Sequence, residues 1–397
     1  MAEPDPLPCQ RHLFDLPPEL AYLNAAYMTP LLREAARAGE AGLARKLRPW
    51  TIRPADFFEE SERVRALAAR VLRVDVEGVA IVPSASYGIA VAAANLRTGP
   101  GRRVLVLADQ FPSNLYAWRR LVAEQGGELL AVEAGPDGDL TAAVLDALDE
   151  RVAIAALPQV RWTDGRLVDL ERVGARCRAL GVALVLDLTQ SAGALPLDLD
   201  RVRPAFAVAA TYKWLLGPYA LGFLFVAPER RDGRPLEEGW IARRGAEDFT
   251  RLVDHTEAWA PGARRFDMGE RSNFALLPVA AVALERILEW GVPRIAATVA
   301  ALNRELSARL ETMGLVTLPE RLRGPHFLSV RLPEGTPADL VGRLARSGVF
   351  VSRRGEHLRV TPHLYNDRAD IERLLAALAP FAPGGGSRGA ARSQRTG

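Results

Sequence analysis

Lysine is almost missing from this sequence. Of the 51 lysine and arginine residues only Lys46 and Lys213 are lysine, which leaves 51 − 2 = 49 arginines. Nearly every positive charge is thus written as the side chain that stays protonated, whereas lysine alone can shed its proton when desolvated and act as an amine nucleophile. Lys46 stands in the polar stretch "ARKLRP", but Lys213 stands between apolar runs in "AATYKWLLGP", with Trp214, Leu215 and Leu216 directly after it. Either Lys213 is a chance survivor, as Lys46 reads, or its position requires the amine itself.

Other absences narrow the field. Two cysteines, Cys9 and Cys177, cannot make a disulfide framework, and their isolation excludes a zinc cluster built on thiolates. A reducing, cytoplasmic setting is the expectation. No apolar run approaches the length of a membrane span, so no membrane role is expected. The N-terminal "MAEPDPLPCQRHLFDLP" is acidic and proline-rich without an apolar segment, and does not read as a secretory signal. The net charge of +3 comes from interspersed Arg and Asp/Glu with no basic stripe, which argues against nucleic acid as a partner. Neither a P-loop nor a Gly-x-Gly-x-x-Gly turn follows any apolar run, which argues against a nucleotide-binding α/β protein.

What is present is an alternation. Seven short apolar runs, "GVAIVPS" (78–84), "RVLVLAD" (103–109), "ELLAVEA" (128–134), "VAIAALP" (152–158), "VALVLDL" (182–188), "AFAVAAT" (205–211) and "LGFLFVA" (221–227), read as buried strands. Amphipathic stretches such as "SERVRALAARVL" and "LERVGARCRAL" lie between them. This pattern predicts an α/β fold with a mostly parallel seven-stranded sheet flanked by helices. Near residue 285 the character changes to an α+β pattern. The expected division is an N-terminal arm (1–20), a large domain (21–284), a smaller C-terminal α+β domain (285–383) and a flexible cationic tail, "GGGSRGAARSQRTG" (384–397).

In such sheets ligands bind beyond the carboxyl ends of the strands, and five strand ends carry chemistry. "PSASYGI" places Ser84, Ala85 and Ser86 at the start of a helix, where the hydroxyls either cap the helix or complete an anion cradle. Phe111 in "ADQFPSN" either fills core or stacks on a flat ring. Asp187 ends a strongly apolar strand in "VLDLTQSAG". There it either caps the following turn or answers a cation such as a protonated pyridine nitrogen, with Gln190 placed to reach a ring hydroxyl. Lys213 supplies an amine for an aldehyde. Gln159, Arg161 and Trp162 in "PQVRWTDG" face the cofactor or substrate. Together these ask for pyridoxal 5'-phosphate.

The order of these segments resembles the class V aminotransferase family, the fold-type I pyridoxal-phosphate-dependent enzymes that include cysteine desulfurases, kynureninase and isopenicillin N epimerase. The resemblance covers roughly residues 20 to 380 and rests on "YLNAAYMTP", "PSASYGIA", "DQFPSNLYAW", "VLDLTQSAGALPLDL", "ATYKWLLGP", "GARRFDMGERSNFALLP" and "LRVTPHLYND". It implies that Lys213 is the Schiff-base lysine, that Asp187 pairs with the pyridine nitrogen and that Gln190 approaches the 3'-hydroxyl. Ser86 and its neighbouring backbone go to the phosphate with Tyr212 nearby, and Phe111 takes the stacking position. It implies further that Arg359 grips the substrate carboxylate and that Asn24, Tyr27 and Trp162 line the substrate side, while His363 and Asn366 hold a loop. One of Glu270, Ser272 and Asn273, with Ser272 the expected one, reaches a partner subunit's phosphate in a homodimer with active sites at the interface. The usual Gly-Thr-Pro of that segment is absent here.

Cys9 lies in the N-terminal arm and Cys177 inside a helix, so persulfide chemistry on a mobile C-terminal cysteine is not expected. Decarboxylation conflicts with a carboxylate held by Arg359. Transamination of an amino acid is the leading expectation because it needs no further group. A kynureninase-like or C-S lyase, supported by Phe111 and by Trp240 in "EEGWIARRG", an epimerase, or a non-catalytic binding protein on the same fold are the alternatives.

Overall fold

The computed structural model describes residues 4–383; the tail expected at 384–397 and residues 1–3 lie outside the described residues. The described residues divide into two compact units, one of residues 30–162 and 166–292 and one of residues 4–29, 163–165 and 293–383. The strands are β1 (Ala21–Tyr22), β2 (Val79–Val82), β3 (Arg103–Leu107), β4 (Glu128–Val132), β5 (Val152–Pro158), β6 (Ala183–Asp187), β7 (Phe206–Ala210), β8 (Gly222–Val226), β9 (Val316–Thr317), β10 (Leu328–Arg331), β11 (Val349–Phe350), β12 (Ser352–Arg354) and β13 (His357–Val360).

The larger unit is built on a seven-stranded sheet in the order β2-β8-β7-β6-β5-β3-β4. Only β8 runs against its neighbours; all other pairings are parallel. Every residue of β2, β7 and β8 is buried, as a sheet covered on both faces demands. All seven strands fall within the seven apolar runs. One face packs on the helix Ala85–Asn95, where Gly88 permits close approach: a Cβ there would meet Val208 Cγ2 at 2.6 Å. The indole of fully buried Trp118 donates to Asn114 Oδ1 at 2.9 Å, so its polar edge is satisfied inside the core.

A buried ion cluster joins the helix Glu59–Leu72 to the segment after the last 3-10 turn of this unit. Arg65, with no exposed surface, donates to both Asp267 oxygens at 3.0 and 2.8 Å, and Asp267 also accepts the amide of Ile81 at 2.7 Å. Burial alone would raise the Glu62 carboxyl, but Arg65 and Arg264 outweigh it and hold it down to about 2. Charges this deep persist only because they are paired and hydrogen-bonded.

The smaller unit holds an antiparallel sheet, β12-β13-β10-β9, and a two-stranded parallel pair of β1 and β11. The pairing of Ala21 with Val349 and of Tyr22 with Phe350 puts residues 21–29 with the C-terminal chain, whereas the sequence pattern places them in the large domain. A two-residue strand whose partner lies over three hundred positions away leaves no local periodicity to read. No helix among the described residues is long and apolar enough to cross a membrane.

Candidate active site

A cavity of about 260 Å³ in the larger unit lies at the carboxyl ends of β2, β3, β5, β6 and β7. The chain order reverses between β3 and β5, which is where an open α/β sheet offers a crevice. From β2 the chain turns at Ser84 into the helix Ala85–Asn95. Ser84 Oγ accepts the Tyr87 amide at 3.1 Å and lies 2.8 Å from Ser86 Oγ. Capping and cavity lining are therefore the same device: Ser84, Ala85 and Ser86 all face the cavity at a helix N-terminus, whose free amides favour an anion.

From β3 come Gln110 and Phe111. Gln110 accepts the Phe111 amide at 2.9 Å and donates to Ala156 O at 3.2 Å, so its side chain clamps the backbone from which the Phe111 ring projects. That ring meets Trp162 edge-on at 5.3 Å, and the Trp162 indole donates to Asp109 O at 2.7 Å. Trp162 lines the cavity. Gln159 and Arg161 do not; side chains alternate along the extended chain, and Arg161 ion-pairs with Asp109 at 3.7 Å instead.

β6 delivers Asp187, Thr189 and Gln190. Asp187 Oδ1 accepts the Thr189 amide at 3.0 Å, and Thr189 Oγ1 accepts the Ala210 amide at 3.2 Å, tying this loop to the end of β7. β7 delivers Tyr212 and Lys213. Lys213 Nζ lies 5.6 Å from the Phe111 ring centre and 5.4 Å from that of Tyr212. Lys213 is 7% exposed and Asp187 8%, and both line the one cavity. Leu216 (φ 54°) and Ala220 (φ 64°) follow the lysine in left-handed backbone, a conformation that costs non-glycine residues of order 1–3 kcal/mol and concentrates at functional sites.

Ser113, Thr189, Tyr219 and Leu221 are among the lining residues not anticipated from sequence. Thr189 could have been found by its place between Asp187 and Gln190. Tyr219, ring-paired with Tyr212 at 4.8 Å, comes back to the cavity only through the turn at Gly217 and Pro218, which carries no chemical signal of its own. Trp240 is not at the cavity. It packs on Phe57, Phe58 and Phe249, so its support for a lyase disappears. Ser272 is also absent from this cavity, its hydroxyl donating to Phe57 O, and Asn273 caps the helix Leu276–Trp290 through the amides of Ala275 and Leu276.

The remaining expected residues belong to the smaller unit. Arg359 on β13 stands opposite Ser329 and Ser352, and its Nε and Nη2 donate to Ser352 Oγ at 2.9 and 2.7 Å. Burial, with a smaller effect from Arg354, pushes its guanidinium down to about 9. Asn24 is buried, its Oδ1 without a hydrogen-bond partner, and Tyr27 is exposed. Asn366 accepts the His363 amide at 2.9 Å and donates to Tyr22 O and Asp370, which fixes the loop they share. Burial raises both thiols, that of Cys177 to about 12, and neither residue lines the cavity.

The cavity suits pyridoxal phosphate by its own chemistry. Lys213 brings an amine and Asp187 a carboxylate into one small space, and a hydroxyl-bearing helix N-terminus and an aromatic face complete what an anionic, flat, cationic-ring aldehyde needs. Comparison with known proteins agrees. The sequence profile described as Aminotransferase class-V matches residues 48–374. A kynureninase from Deinococcus radiodurans is 32% identical over 67% of this chain, which spans 65% of that protein. An isopenicillin N epimerase from Streptomyces clavuligerus is 25% identical over 91% of this chain and 95% of its own. Among solved structures, a C-DES mutant with glycine covalently linked to its PLP cofactor shares the fold with a TM-score of 0.83 at 21% identity, covering 94% of this chain and all 100% of the other.

Proposed function

The chain belongs to the aminotransferase class-V family and is a pyridoxal-phosphate-dependent enzyme, and on that premise we propose that it is a lyase acting on an α-amino acid, with Lys213 as the catalytic amine. The observation that carries the site assignment is that Lys213 and Asp187, both buried, line one cavity at the strand ends. When pyridoxal phosphate is bound, Ser84, Ala85 and Ser86 would hold its phosphate at the helix N-terminus, Phe111 would stack on its ring, Asp187 would pair with the ring nitrogen, and Gln190 and Tyr212 would complete the contacts. When bound, the cofactor supplies an electron sink for negative charge at the substrate Cα.

The protein's own part is to place and move protons. Lys213 Nζ, held between the Phe111 and Tyr212 rings away from bulk water, removes the Cα proton and holds it for return. Trp162, fixed by Asp109 O, closes the substrate side of the cavity.

Cleavage at the substrate side chain is favoured over transamination by the kynureninase relatives and by Phe111 at the cavity wall. Transamination stays as the second reading because the cavity's titratable lining is confined to Asp187, Lys213, Tyr212 and Tyr219, and transamination asks for nothing more. Incubating the holoenzyme with single amino acids and no keto-acid acceptor decides between them. Catalytic release of a cleaved product such as pyruvate, alanine or ammonia is the expected result. Stoichiometric conversion of the cofactor to its pyridoxamine form would replace the lyase by an aminotransferase, and racemised substrate would replace it by an epimerase.

A further inference from the structure

We propose that Trp214 is a positioning residue that acts on the cofactor through Gln190, an inference that rests on the reading of this cavity as the pyridoxal phosphate site. Trp214 follows Lys213 and is fully buried, and its indole Nε1 donates to Gln190 Oε1 at 3.1 Å. A carboxamide has two ends of nearly equal shape and opposite polarity, so its direction must be set by its surroundings. The indole N–H can only donate. It therefore fixes the oxygen of Gln190 on its own side, and a reversed amide would set N–H against N–H in a buried place. Gln190 is thereby held as a donor in its other direction, the polarity that an ionised ring hydroxyl requires.

The same residue joins the two loops that carry the chemistry. Gly193 has φ 91°, and a Cβ built on it would lie 2.5 Å from Trp214 O. The turn after Gln190 thus lies directly against the Trp214 backbone, while Thr189 Oγ1 holds the Ala210 amide on the other flank. Asp187 and Lys213 sit at the outer ends of this joint, so their mutual placement depends on it.

A donor directed at an ionised oxygen favours the ionised form. Removing the indole N–H removes the contact that fixes the direction of the Gln190 amide and raises the pH at which the bound cofactor's absorption band changes. The test compares the reconstituted wild type with Trp214→Phe, Gln190→Met and the double variant, reading the spectral pH midpoint and the dissociation constant for pyridoxal phosphate. Both single variants are expected to raise the midpoint and to weaken cofactor binding by about 3- to 10-fold, the scale of one buried hydrogen bond. The double variant is expected to go no further than Gln190→Met alone. An unchanged midpoint in Trp214→Phe, or shifts that add in full, overturns the proposal. A second measurement leaves position 214 intact: the Trp214 indole proton, followed by NMR, exchanges faster in Gln190→Met if Gln190 is its acceptor, and an unchanged rate overturns the proposal as well. Wild-type protein that binds no pyridoxal phosphate would overturn the cofactor reading, and this inference with it, and is recognised by the absence of any band to titrate.

Discussion

Lys213 is buried just after β7, beside the rings of Phe111 and Tyr212. Lys213→Arg keeps the charge and removes the nucleophile, and it is expected to fold, to release cofactor on dialysis and to lose about 10²- to 10⁴-fold in turnover, the contribution of a positioned general base. Steady-state kinetics with saturating cofactor check this; a loss below tenfold would remove Lys213 from the chemistry. Asp187→Asn retains the hydrogen bond from the Thr189 amide but not the charge, so weaker cofactor binding with an unchanged melting temperature of the apoprotein is the expected pair of results. Lys213, Asp187 and Phe111 were legible in the sequence because each is a polar or projecting residue at the end of an apolar run, where cost or geometry calls for an explanation. Ser113 and Tyr219 were not, since what brings them to the cavity is the path of the chain after a turn.

At the scale of elements, the Asp187 loop and the Lys213 loop are held together by backbone contact as much as by side chains. Gly193→Ala would need a methyl 2.5 Å from Trp214 O in left-handed backbone. A stability loss of about 1–3 kcal/mol is expected, with weakened cofactor binding, measurable as a shift in the urea midpoint and in the cofactor titration. The Arg65–Asp267 pair anchors the helix Glu59–Leu72 to β2 through the Ile81 amide. Arg65→Ala leaves a buried carboxylate beside fewer cations, and a loss of about 3–5 kcal/mol is expected from the same urea titration. The seven strands of the large sheet were legible because each is short, apolar and buried on both faces. β1 and β9, two residues each, were not: β1 takes its strand character from the distant β11, and β9, paired with the nearby β10, is too short to show a period. The ion cluster was equally hidden, since its members are separated by some two hundred residues and look like ordinary surface charges in sequence.

For the whole molecule, pH dependence has an identifiable source in His363. Burial, and secondarily His326, holds its imidazole down to about 3 from an ordinary 6.5. The native protein keeps it neutral while the unfolded chain takes up a proton below 6.5, so its contribution to stability is complete above pH 6.5 and is lost progressively as the pH falls towards 3. Melting temperature should fall across that window, and more shallowly in His363→Asn. The family membership and the pyridoxal phosphate requirement bear on one amine in particular, and the near absence of lysine makes that amine easy to identify. Reduction of the holoenzyme with borohydride followed by peptide mapping tests it directly. The account predicts a yellow protein whose absorption band disappears on reduction and whose pyridoxyl group is found on Lys213 alone. A pyridoxyl group on Lys46, or a protein left colourless and unlabelled after incubation with pyridoxal phosphate, would contradict it.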